Sequence, residues 1–108
     1  MSLFMTADDV TNLLRFATYS AASKLNVPNA SWEDTTQLER EIDQRNSTVG
    51  QLLRTFKDAY LHWFRFWADR DARGVTSGVV GTELADLNTR VANRDATRDA
   101  LIATLKSL

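Results

Sequence analysis

Residues 56–67 read FKDAYLHWFRFW and carry six of the ten aromatic side chains of the chain. On a helical wheel with about 100° per residue, these rings cover an arc of roughly 160° centred on Phe56, Trp63 and Trp67. Aromatic residues at helical spacing are typical of a buried core. The stretch therefore predicts a central helix whose aromatic face packs inside a small helical bundle, with Trp63 and Trp67 mostly buried.

Three apolar side chains of this stretch lie outside the aromatic face or at its edges. Leu61 falls well outside the aromatic arc, and Phe64 and Phe66 lie at its two edges. A domain of 108 residues buries only about two-thirds of the surface that its unfolded chain exposes, so its core is thin. We therefore expect one compact core to leave these side chains partly uncovered, which favours a protein partner or a second copy of the chain as their cover.

The rest of the chain has few helix breakers, with one Pro and four Gly. Apolar residues recur at three- and four-residue spacing, which is typical of amphipathic helices. We predict an all-α fold, a small antiparallel helical bundle formed by a single domain over residues 1–108. Its four helical segments are expected at about 7–25, 32–46, 48–73 and 82–107.

Capping residues mark several helix ends. Thr6 and Asp9 resemble a capping box at the start of the first helix, and Ser31 and Thr82 are expected to cap the second and the last helix. Gly74 follows the third segment at the position where a Gly commonly ends a helix. Five alanines beside the apolar row of the last helix would permit close packing of that helix; they are Ala85, Ala92, Ala96, Ala100 and Ala103.

The sequence is compatible with two descriptions of the boundary between the two middle segments. Apolar residues keep one helical phase from Leu38 to Trp67, which favours one long helix and a three-helix bundle. Residues 46–50 read NSTVG, which is poor helix material, and Thr48 could begin a new capping box. We favour a break within 46–50, with the continuous helix as the alternative.

The composition indicates a folded protein that functions in a reducing compartment, and we expect a cytoplasmic location. There is no Cys, which argues against a small disulfide-stabilised scaffold. The first ten residues do not resemble a signal peptide. The most apolar stretch, residues 60–68, is short and contains Arg65, so we expect no membrane span.

Catalytic and metal-binding motifs are missing from the sequence. There is no Gly-x-Ser-x-Gly elbow and no phosphate-binding loop with its Lys. His62 is the one His, and position 59, where a Glu-x-x-His motif of a bundle metal centre would carry Glu, is Ala59. We expect no metal, no haem and no other cofactor, and a non-enzymatic protein. An enzyme or cofactor protein with an unrecognised site is the second alternative.

Two rows of arginines are the basis of the first alternative, a nucleic-acid-associated helical protein. Such rows could follow phosphates, with aromatic rings nearby for stacking. Acidic residues alternate with them, however, and thirteen Lys and Arg against fourteen Asp and Glu give a formal charge of −1. Paired surface charges therefore explain the rows better than nucleic-acid binding does. The rows are Arg65, Arg70 and Arg73, and Arg90, Arg94 and Arg98.

The last helix carries an apolar row that is interrupted by two arginines. Polar residues inside such a row often set register or partner choice in helical assemblies. Together with the uncovered aromatic edges, this row favours a non-enzymatic interaction or assembly protein, such as a structural, scaffold or adaptor subunit, that self-associates as a dimer or larger oligomer. The predicted contact residues are Leu61, Phe64, Phe66, Arg94, Arg98, Leu101, Leu105 and Leu108.

Overall fold

The computed structural model describes residues 5–108, and within this part of the chain all regular structure is helical. The predicted all-α fold with four helical segments is confirmed. A short 3₁₀ turn, Asn29–Ser31, follows the first helix. The helices are α1 (Ala7–Lys24), α2 (Thr35–Arg45), α3 (Ser47–Ala72) and α4 (Gly81–Lys106).

Both ends of α1 are closed by local hydrogen bonds. The predicted capping box is confirmed, because the Asp9 amide donates to Thr6 Oγ1 at 3.1 Å and the Thr6 amide donates to Asp9 Oδ2 at 2.9 Å. At the other end, Asn26 takes a left-handed conformation with φ 58°. The Val27 amide then donates to the Ala22 carbonyl at 3.0 Å, which satisfies a carbonyl that the helix leaves free.

A break at Asn46 separates α2 from α3, so the expected break is confirmed and the continuous-helix alternative is wrong. Asn46 is extended, with φ −156° and ψ 99°. Its side-chain oxygen accepts a hydrogen bond from the Val49 amide at 3.1 Å. Asn46 therefore caps α3, and Thr48, the expected start of a capping box, lies inside the helix. Asn is the stronger cap because its carbonyl reaches the third amide of the helix directly.

The other cap predictions had mixed outcomes. Gly74 ends α3 as predicted, with φ 67° and the Val75 amide donating to the Arg70 carbonyl at 2.9 Å. α2 begins at Thr35, after the 3₁₀ turn that contains Ser31, and its N-cap is Asp34, which accepts from the Thr36 and Gln37 amides. Thr82 lies inside α4, which begins after Val80 without a side-chain cap.

All three other helices run antiparallel to α3. The start of α1 lies near the middle of α3, where the Tyr60 hydroxyl donates to Met5 Sδ at 3.5 Å. The end of α1 lies beside the end of α2, since Arg45 donates to the Leu25 carbonyl at 3.3 Å. The start of α4 pairs with the end of α3, through Arg70 and Glu83. The ends of α1, α2 and α4 therefore meet at the start of α3.

The helix lengths divide the molecule into two regions. α3 and α4 have 26 residues each, whereas α1 has 18 and α2 has 11. At about 1.5 Å per residue, α1 and α2 are too short to flank the whole of α3. We call residues 5–64 and 91–108 the body and residues 65–90, where α3 and α4 continue as a hairpin, the arm. The molecule measures 47 × 25 × 17 Å.

The most completely buried part of the core lies in the body, where Leu38 and Ile42 of α2 meet Val49 and Leu53 of α3. Trp63 is buried, as predicted, whereas Trp67 is only partly buried against the core.

The expectation that Phe64 and Phe66 stay partly uncovered is wrong, because they are only 8% and 6% exposed. Phe64 belongs to the core of the body. Phe66 lies on the side of α3 that α4 covers, where the Arg90 guanidinium lies 5.7 Å from its ring centroid. The expectation assumed that α3 is covered on one side only. In the structure α1 and α4 pack on different sides of α3 and together cover the aromatic arc.

Candidate interaction surface

Phe16, Tyr19 and Leu105 line one groove at the end of the body where α1 and α4 terminate, and two exposed apolar residues, Ile102 and Leu108, lie three residues to either side of Leu105. Phe16 is 67% exposed, which is exceptional for a Phe, and Ile102 and Leu108 are also largely exposed. Tyr19 and Leu105 are half-buried and pack against the core. We call this set the base surface; its members are Phe16, Tyr19, Ile102, Leu105 and Leu108.

Phe16 is exposed because it lies off the apolar stripe of α1. That stripe points Val10, Leu14 and Ala21 into the core. Phe16 falls outside the stripe and projects from the body beside Tyr19, whose ring it meets edge-on with the centroids 6.3 Å apart.

Tyr19 is held in place by Trp32. The two rings are stacked, with centroids 5.1 Å apart and an angle of 12° between their planes. Trp32 is itself fixed, because its Nε1 donates to the Val27 carbonyl at 3.1 Å. Trp32 therefore supports Tyr19 within the base surface.

A groove of about 430 Å³ crosses the base surface beside Phe16. Its walls come from α1 and from the last turn of α4, and its lining is mixed, with two aromatic rings and a Leu beside two serines and Lys24. An exposed ring thus stands next to an open groove on the same face. The lining residues are Phe16, Tyr19, Ser20, Ser23, Lys24 and Leu105.

The structure brings together only two of the eight predicted contact residues on this surface, Leu105 and Leu108. Phe64, Phe66 and Leu101 are buried inside the chain and are not part of its surface. Leu61 is half-buried in a cleft on a different side of the body.

Sequence reasoning missed Phe16, Tyr19 and Ile102. A usable signal was present for Phe16, since a Phe that lies off the apolar stripe of its own helix has no core to enter.

Arg94 and Arg98 lie in the apolar row of α4 but contact groups of their own chain. The Arg94 guanidinium lies 4.5 Å from the centroid of the Trp63 ring and pairs with Asp95 at 2.9 Å. Arg98 pairs with Asp99 at 3.2 Å. A role of these two residues in the register of an assembly stays a prediction. The alanines beside the row are exposed on the outer side of α4, so they do not provide the close packing expected of them.

Five of the six arginines in the two rows contact groups of their own chain within the described residues; they are Arg70, Arg73, Arg90, Arg94 and Arg98. Arg70 is 5% exposed and donates to the Glu83 carboxylate and to the Ser77 carbonyl, which fastens the connector between α3 and α4. Arg90 donates to the His62 carbonyl at 2.6 Å. A continuous row of free guanidinium groups, which a phosphate backbone would need, is therefore missing from the described surface.

Burial raises the pKa of Tyr60 above its ordinary value, because the phenolate would lose water at this position, and the nearby positive charge of Arg94 lowers it by a smaller amount. Tyr60 contacts the rings of Phe56 and Trp63 at centroid distances of 5.8 and 5.2 Å. It belongs to the core of the body, so its shift reports packing and does not indicate a catalytic acid or base.

Within residues 5–108, no group of three or more His, Asp or Glu side chains is arranged to hold a metal ion. None of the described helices is long and apolar enough to cross a membrane. Models of known protein families, curated proteins and solved structures yield no match to this chain.

Proposed function

We propose that this chain is a non-enzymatic assembly protein that associates with a second copy of itself through the base surface. The observation that carries the proposal is Phe16, a 67% exposed aromatic ring that lines a groove together with Tyr19 and Leu105.

A ring and a groove on one face suit a two-fold contact. In such an interface the same patch of both copies is used, so Phe16 of each copy would enter the groove of the other. Aromatic side chains that fill a pocket supply much of the binding energy of protein interfaces. The near-zero formal charge of −1 places no strong repulsion between two copies.

The nucleic-acid alternative has less support in the geometry. Arg70 is buried in an ion pair, and Arg90, Arg94 and Arg98 each contact a carbonyl, a ring or a carboxylate of their own chain. Binding phosphates with them would first require breaking those contacts.

The test is the mass in solution, measured by light scattering over a hundredfold dilution, for Phe16→Ser and Ile102→Ser. Both residues are exposed, so both variants should fold with little change in stability. We expect the unmodified chain to dissociate from dimer to monomer on dilution, and both variants to stay monomeric at concentrations where it is dimeric.

Leu84→Ser is the matched control, because Leu84 lies on the same helix as Ile102 and is exposed to the same degree, 40% against 42%. It should leave the dimer unchanged. A monomer mass for the unmodified chain at every concentration, or equal weakening by Leu84→Ser and Ile102→Ser, would reject the base surface as the contact.

A further inference from the structure

A second concave site lies on the body, in a cleft of about 470 Å³ between α1, α2 and α3. It shares no lining residue with the groove of the base surface. Its volume lies in the range of small-molecule sites, which are roughly 300–1,000 Å³. Apolar contact is offered by Leu61 of α3 and by the 8% of Leu14 of α1 that stays exposed.

Most of the charged groups around this cleft neutralise one another. Lys57 donates to Glu39 Oε1 at 2.5 Å, and Arg54 pairs with Asp43 at 2.6 Å. The side chain of Lys57 is only 14% exposed, so its ion pair with Glu39 is held in the wall of the cleft. These four groups have no charge left over for a ligand.

Two lining residues of opposite charge remain, Arg15 on α1 and Asp58 on α3. In the described part of the chain neither forms an ion pair, with the other or with a third residue. Both are exposed to solvent, so holding them apart costs little. The cleft therefore presents a free cation and a free anion on two different helices, with leucine side chains beside them.

We infer that this cleft binds a small zwitterion with an aliphatic side chain, that is, a free α-amino acid of the leucine type. Its carboxylate accepts hydrogen bonds from the Arg15 guanidinium, which suits a carboxylate because it can donate two parallel hydrogen bonds. Its ammonium group pairs with Asp58, and its side chain covers Leu14 and Leu61. This site is separate from the base surface and does not depend on self-association.

The experiment is a titration of the full chain with L-leucine, followed by amide chemical shifts in NMR spectra. Two fragments serve as probes of the zwitterion requirement: 4-methylpentanoate, which lacks the ammonium group, and 3-methylbutylamine, which lacks the carboxylate. We expect saturable shifts around the cleft with leucine, and affinities for both fragments that are weaker on the order of tenfold, since each loses one charge-assisted contact.

Two variants test the residue assignment. Arg15→Gln should weaken leucine binding on the order of tenfold, to the affinity that the unmodified chain has for 3-methylbutylamine. Asp58→Asn should weaken leucine binding to the affinity that the unmodified chain has for 4-methylpentanoate. Arg40→Gln and Asp71→Asn, which alter exposed charges that do not line the cleft, are the controls and should leave leucine binding unchanged.

The inference fails if leucine causes no localised shifts at concentrations up to about 10 mM, which exceeds the dissociation constant of even a weak millimolar complex. It fails equally if either fragment binds as well as leucine does, or if the control variants weaken binding as much as the cleft variants. Circular dichroism of each variant verifies that the fold is retained.

Discussion

The body and the arm bury their apolar side chains in different ways. In the body, helices lie on several sides of α3, and Leu38, Ile42 and Val49 are completely excluded from solvent. In the arm only α3 and α4 are present, and the ring of Phe66 is covered by the Arg90 side chain. Two helices cannot enclose an apolar layer, so long side chains with a charged end complete its cover.

The two regions also differ in their buried polar contacts. Arg70, one of the two buried polar residues of the described chain, lies in the arm and joins the connector to both helices. The most deeply buried contacts of the body are hydrophobic, whereas in the arm a buried arginine also bridges backbone and side-chain groups. The comparison predicts that apolar truncation harms the body most and that loss of an arginine opens the arm.

The largest effect is expected for Trp63→Ala at the junction of the two regions. Trp63 is 7% exposed, belongs to the core of the body and lies under the Arg94 guanidinium. Truncation should lower the free energy of unfolding by about 3–5 kcal/mol, because it leaves a cavity as well as losing buried apolar area.

Chemical denaturation, with Trp67→Ala as the reference, is the measurement for this prediction. Trp67 is only partly buried, so its truncation should cost less. Equal losses for the two variants would show that the arm is as well packed as the body.

Arg70→Ala should lower the free energy of unfolding by less than Trp63→Ala does, by about 1–3 kcal/mol. Its effect should be confined to the arm. The substitution leaves the Ser77 carbonyl and the Glu83 carboxylate without their donor. Since Glu83 remains partly exposed, water can solvate it and limit the loss. We expect faster hydrogen exchange of the connector and of the first turn of α4, with the amides of α2 unchanged. Uniform acceleration over the whole chain would contradict an independently opening arm.

Gly50→Ala probes the tight contact of α2 with α3 in the body. A Cβ at Gly50 would lie 1.8 Å from Asp43 Oδ1 and 3.3 Å from Asp43 Cα. The carboxylate would have to leave its position and its ion pair with Arg54. We expect a loss of roughly 1 kcal/mol, because the clash outweighs the helix propensity that Ala gains over Gly.

The control for Gly50→Ala is the same substitution in an Asp43→Ala background. There the clash is largely removed and the propensity gain of up to about 1 kcal/mol should stabilise the protein. A loss of equal size in both backgrounds would show that Asp43 is not the obstacle.

The smallest effect concerns the pH dependence of the body. The pKa of Tyr60 is raised in the folded state by burial, so the folded chain holds this proton more tightly than the unfolded chain. The corresponding stability is fully present below the unfolded pKa of about 10 and is lost as pH rises through the folded value.

We expect Tyr60→Phe to reduce the decline in unfolding free energy above pH 10, as measured by denaturation at several pH values, because the variant has no phenol to ionise at this position. Tyr19→Phe is the reference, since Tyr19 is half-buried at the surface. An unchanged alkaline decline in Tyr60→Phe would contradict the assignment.

Local features of the sequence determined the helices. The Thr6 capping box, the break at Asn46 and the end of α3 at Gly74 each depend on residues within one or two turns, so the local sequence is enough to predict where these helix ends lie. Apolar periodicity likewise placed the four segments close to their observed bounds. The cap predictions at Ser31 and Thr82 were wrong by a few residues, since α2 is capped by Asp34 and α4 begins after Val80. Which nearby residue becomes the cap depends on the path of the chain between the helices.

The tertiary structure alone decided which faces are covered. Residue spacing shows that Phe64 and Phe66 lie at the edges of an aromatic arc, but not that helices on different sides of α3 bury both of them. Residue spacing also shows that Phe16 lies off the apolar stripe of α1. It does not show that a groove opens beside Phe16, because Leu105 of α4 helps to form that groove. Burial depends on the distances between helices that are far apart in sequence, and no local pattern contains those distances.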